Sequence, residues 1–146
     1  MSASQGEAAR TAAAETFNMN LRWLVGEVGA RLPGDRDVDE IRRKVAVACD
    51  QLPCAPVESV GPYLFKYKDE IYAGKTEGFL ESEYADEQKG AGPGAEIAAR
   101  LIPAVKGVWK DAPEEKQKEF LGCVQDLLDS FLDYSVTLVG DDIRGQ

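Results

Sequence analysis

The chain has 146 residues, 44% of them hydrophobic and 29% charged, which suits one globular domain and argues against wholesale disorder. Its formal net charge is −9, and residues 74–146 carry 15 acidic against 8 basic side chains, so phosphate backbones and anionic membranes are repelled at long range. Three cysteines, Cys49, Cys54 and Cys123, and no histidine exclude a disulfide framework and a conventional zinc site.

The first segment, residues 1–14, reads as a flexible N-terminal tail. It has no compact apolar run of the secretory type, and Glu7 and Glu15 are unlike an acid-poor transit peptide. A helical domain is expected over residues 15–139, followed by a polar C-terminal tail, 140–146. Phe17, Leu21, Leu24, Val25, Val28 and Leu32 recur every three or four positions and predict the first helix. Pro33-Gly34-Asp35 stops it.

Val38, Ile41, Val45, Ala48 and Leu52 predict a second helix, with Asp37, Asp39 and Glu40 at its positive end. The basic triplet Arg42-Arg43-Lys44 is read mainly as a solvated helix face. Val57, Val60, Leu64, Tyr67 or Lys68, and Ile71 predict a third helix, kinked or broken at Gly61-Pro62. Residues 73–94 read as a loop-rich connection ending in a flexible Gly-Pro run. A fourth helix follows through Ile97, Leu101, Val105, Val108 and Trp109, bent at Pro103. Asp111-Ala112-Pro113-Glu114 predicts the next start, with Asp111 as N-cap. The fifth helix carries Phe120, Leu121, Val124, Leu127, Leu128 and Phe131 inward, and Asp126, Asp129 and Asp133 toward solvent. The fold expected is therefore all-α, a single bundle-like domain of four to five helices.

No catalytic, metal or cofactor-binding residue set emerges. Without histidine neither a Ser-His-Asp nor a Cys-His arrangement can form, and Asp69-Glu70, Glu114-Glu115 and Asp141-Asp142 are adjacent acids that diverge on a helix. No calcium-loop spacing is present. The segment with recognition character mixes Glu77, Glu81, Glu83, Asp86 and Glu87 with Phe79, Leu80 and Tyr84. It suits either a basic partner groove or a lid folded onto the core, and the burial energy of aromatics, about 2–3 kcal/mol each, favours the lid. Trp23 lies just off the first helix's stripe and is the expected exposed aromatic contact. Trp109 is expected in the core. The candidate protein-interaction residues are thus Trp23, Glu77, Phe79, Leu80, Glu81, Glu83 and Tyr84.

The order of these elements resembles a set of short, uncharacterised helical proteins of nucleocytoplasmic large DNA viruses of algae and protists. The residues carrying the likeness are Phe17-Asn18 with Leu21, Leu32-Pro33 before acids, Pro62-Tyr63, and Tyr67-Lys68-Asp69-Glu70-Ile71. They continue with Glu77-Gly78-Phe79-Leu80 and Tyr84, then Val108-Trp109-Lys110 and Glu114-Glu115-Lys116. The likeness spans Phe17 to about Leu132 and implies a helical fold in a viral context, with no activity or functional residues. The reading that results is a non-enzymatic acidic interaction or structural module, such as a virion component or accessory protein. Its partner would be a protein, basic in character, with no direct nucleic acid, no membrane and no cofactor. One alternative is an adaptor for a basic segment of a nucleic-acid-associated protein, and another a small carboxylate-dependent enzyme. The expected location is cytoplasmic, the host cytoplasm or the virion if viral.

Overall fold

In a computed structural model, the backbone is described for residues 2–81 and 93–144, and the side chains for 6–80 and 99–138. Among the described residues the fold is all-α, with seven helices: α1 Ser2–Arg31, α2 Arg36–Gln51, α3 Ala55–Lys66, α4 Lys68–Ala73, α5 Glu77–Glu81, α6 Pro93–Asp111 and α7 Glu114–Arg144. The expected count of four to five becomes seven because the third segment divides at Tyr67 and the connection after residue 73 forms a short helix of its own. No helix among the described residues is long and apolar enough to cross a membrane.

The two long helices, α1 and α7, share the most extensive contact in the molecule. Phe17, Leu21, Leu24 and Val28 on α1 and Phe120, Val124, Leu127 and Leu128 on α7 are all buried in one cluster. Three- and four-residue spacing aligns each set on one side of its rod. Lys116 pairs with Glu27 at 3.4 Å, and the Cys123 thiol donates to the Asn20 carbonyl at 3.3 Å. The expected tail through residue 14 is instead the beginning of α1, which starts at Ser2, and Ala13 and Ala14 are buried. Alanine is the best helix former and leaves room for close packing, but it contributes little to a hydrophobic stripe. The C-terminal expectation also changes, since α7 runs on to Arg144 rather than ending at a tail from residue 140.

Asp35 caps α2, its carboxylate accepting from the Val38 N–H at 3.1 Å. Val38, Ile41 and Val45 are buried, whereas Leu52, expected on the same stripe, caps the helix end and is exposed. Asn18 Nδ2 donates to the Pro53 carbonyl at 2.9 Å and ties the α2–α3 connection to α1. The α3 helix passes through Pro62 and ends at Tyr67, where α4 begins. Gly74, at φ 74°, closes α4 in the left-handed region. Asp111 is the last residue of α6, not the cap of the next helix. The first turn of α7 instead closes through the Gln117 N–H onto the Pro113 carbonyl, with the Gln117 side chain on the Trp109 carbonyl.

The α3–α7 contact depends on Gly61. A Cβ placed there would lie 2.1 Å from Cδ1 of Phe131. Helix propensity favours alanine over glycine by about 0.8–1 kcal/mol. The required ring displacement should outweigh it, so Gly61→Ala is expected to lose about 1–3 kcal/mol in chemical denaturation. An unchanged midpoint would mean the ring yields freely. Trp109, 3% exposed, should cost about 3–5 kcal/mol when cut to alanine.

Candidate interaction face

Of the expected interaction residues, the side chains of Trp23, Glu77, Phe79 and Leu80 are described, and Phe79 is not at the surface. Phe79 is 3% exposed and lies against Tyr63, Tyr67 and Trp109, with ring centroids at 5.9, 5.6 and 6.0 Å. The start of the acidic-aromatic segment therefore folds inward as a lid, and Phe79 is withdrawn from any partner. Leu80 is half-buried beside it, and Glu77 is exposed. The Glu81 side chain, Glu83 and Tyr84 lie outside the described residues. Trp23 is 39% exposed and meets the Phe120 ring edge-on at 6.2 Å, so one edge is core and the other is wet.

Beneath the lid sits a residue the sequence reading missed. Lys106 is 5% exposed, its ammonium 4.9 Å from the Tyr63 ring centre and 5.1 Å from that of Phe79, and it donates to the Tyr63 hydroxyl. It follows Val105 directly and is no member of the apolar stripe read from the sequence, which gives no signal of burial. Aromatic faces and a hydroxyl offset part of the cost of removing the charge from water.

The exposed side of α3, α4 and α7 brings together groups far apart in sequence. Phe65 and Tyr72 are 40% and 45% exposed. Phe65 leans edge-on against Phe131 at 6.0 Å, and its face is covered by the Lys68 ammonium at 4.5 Å. Tyr72 donates to Asp129 at 2.6 Å, and the Gln125 amide donates to the Ile71 carbonyl at 3.0 Å, fixing α4 along α7. Asp126, Asp129 and Asp133 are all exposed, as their helical spacing predicts. Further along, Tyr134 donates to Glu58 at 2.5 Å, and Val136 is the most exposed large apolar side chain described. Tyr72 thus meets the carboxylate row of α7, while Phe65 rests on Phe131.

Charge is arranged differently on α2. Glu40 accepts from Arg100 and Lys44, with Arg100 also reaching Asp37 at 3.2 Å. These cations hold the Glu40 carboxyl down at about 2. Val47 and Leu52 stand exposed beside Arg43 and Lys44, lining a shallow open depression. The cysteines are free, Cys123 buried and Cys49 and Cys54 half-buried, and burial pushes the Cys49 thiol up. No cluster of metal-ligating side chains occurs among the described residues. Comparison with protein-family models, with curated proteins and with solved structures finds no match.

Tyr72 on α4 and Cys123 on α7 are among the groups that set an alkaline limit. Burial, then Asp129, raises the Tyr72 hydroxyl from 10.0 to about 12, and burial, then Asp126, raises the Cys123 thiol from 9.0 to about 12. Both hold their protons more tightly when folded, so their contribution is complete below pH 9 and lost as pH climbs through 12. Denaturation midpoints should therefore fall across that window, and Tyr72→Phe should flatten the part above pH 10. Parallel curves for the two proteins would contradict this.

Proposed function

We propose that this chain is a non-enzymatic protein-interaction module that takes a basic segment of a partner protein on the α3–α4–α7 face. One observation carries the reading. Asp126, Asp129 and Asp133 are exposed along α7, and the half-exposed Tyr72 of α4 lies against this row, donating to Asp129 and in the field of Asp133. Single exposed apolar residues are ordinary, but aromatics bordered by one sign of charge suit a cationic, partly apolar segment. Asp126 and Asp133 make no ion pair among the described residues, so their charge is directed to solvent. The net charge of −9 adds a long-range attraction for the same class of partner. The resemblance to helical proteins of large DNA viruses would make the module a virion or accessory component. A partner drawn from nucleic-acid-associated proteins, whose tails are commonly basic, fits the same face.

Titration of the full chain with an octa-lysine peptide tests the reading. Affinity should fall steeply between roughly 50 and 200 mM salt. It should also weaken when Asp126, Asp129 and Asp133 are together changed to asparagine. Neutralising Asp111, Glu114 and Glu115 instead removes the same charge elsewhere and should leave affinity nearly intact. Equal losses from both triple variants would place binding in net charge alone and overturn the assignment of the face.

A further inference from the structure

We propose that the depression along α2 seats a second copy of this chain, whose α7 carboxylate row it takes. This names the partner of that row and rests on the row being a docking surface. The densest run of positive charge in this acidic sequence, Arg42-Arg43-Lys44, lies on α2. Arg43, Val47 and Leu52 line one depression, and Val47 and Leu52 are 52% and 50% exposed. Arg36 is exposed two turns before Arg43 and so falls on the same side of the helix. Neither Arg36 nor Arg43 makes an ion pair among the described residues, while Glu40 of the same side is already held by Arg100 and Lys44.

The α7 row repeats this order with the opposite sign. Asp126 and Asp133 are exposed two turns apart, and Val136, three residues beyond Asp133, is 70% exposed. Laid parallel, α2 of one copy against α7 of another brings Arg36 to Asp126, Arg43 to Asp133 and Val47 to Val136. A lone exposed valine or charge is ordinary. Matching spacing with opposite charge on two faces of one chain is what points to a second copy. The contact joins different patches of identical chains and is therefore head-to-tail. Asp39, exposed on α2, opposes the acidic row, and two chains of net charge −9 repel at long range, so the association is weak. It should be strongest near 0.1 M salt, where a screening length of about 10 Å weakens the long-range repulsion more than the contact pairs.

Sedimentation equilibrium of the full chain in about 0.1 M salt tests this. The weight-average mass should climb above that of one copy as concentration rises, and return to it near about 1 M salt. Arg43→Glu alone and Asp133→Lys alone should each weaken self-association about tenfold or more, because like charges then face each other. An equimolar mixture of the two variants should recover it to within about threefold, since every contact between unlike copies again joins opposite signs. Both positions are exposed, and circular dichroism checks that each variant keeps the helical fold. A mass of one copy at every concentration overturns the proposal. So does association that either variant leaves intact, or that mixing fails to restore. If octa-lysine binding still depends on the three aspartates in those cases, the docking face stands and only the second copy falls. If neither octa-lysine nor a second copy binds, both fall.

Discussion

The pairing of α1 with α7 is the constraint on which the rest of the molecule depends. Each helix is about thirty residues long, 30 and 31 respectively, and neither hides its apolar stripe without the other. Phe17, Phe120, Leu127, Leu128, Val28 and Val124 are among the largest fully buried side chains. Each contributes roughly 1.5–3 kcal/mol of burial against the entropy of ordering the chain. The ion pairs around this core, Lys116 with Glu27 and Arg22 with Asp50, are partly exposed, so they set register more than they add stability.

Once α7 is fixed, its outward side becomes the floor of a second layer. The α3 helix comes close enough to rest on Phe131 only because Gly61 has no side chain. That approach lets α4 continue along the same helix, held by Gln125 on the Ile71 carbonyl and Tyr72 on Asp129. Asp129 is thereby brought against Tyr72, and packing rather than local sequence makes the face. Lys106 has the converse role on the far side of α3. Its ammonium contacts Tyr63 of α3 and Phe79 of α5 and so links α6 to both helices.

Periodicity made much of this legible in the sequence. The α1 stripe from Phe17 to Val28 and the α7 stripe from Phe120 to Leu128 could be read directly, as could the solvent row of Asp126, Asp129 and Asp133. Trp109 was also placed correctly in the core. What could not be read has identifiable physical causes. The run of alanines before Glu15 has strong helix propensity but little hydrophobic contrast, so in sequence the start of α1 reads as a tail. Phe79 sits in a segment with no period, where lid and docking loop look alike. Phe65 and Tyr72 fell off the apolar stripe of their own helix and drew no notice, because their meaning comes from α7, some sixty residues away. Lys106 was hidden by its type, since a lysine is rarely fully buried.

Hydrogen exchange on the intact chain tests the central claim most directly, because it ranks the helices by the free energy needed to open them. If the α1–α7 pair is the foundation, the slowest amides should lie in Phe17–Val28 and Phe120–Leu128, with α4 and α5 opening earlier. Amides of α1 or α7 exchanging as fast as those of α4, while α2 and α6 remain protected, would contradict the account.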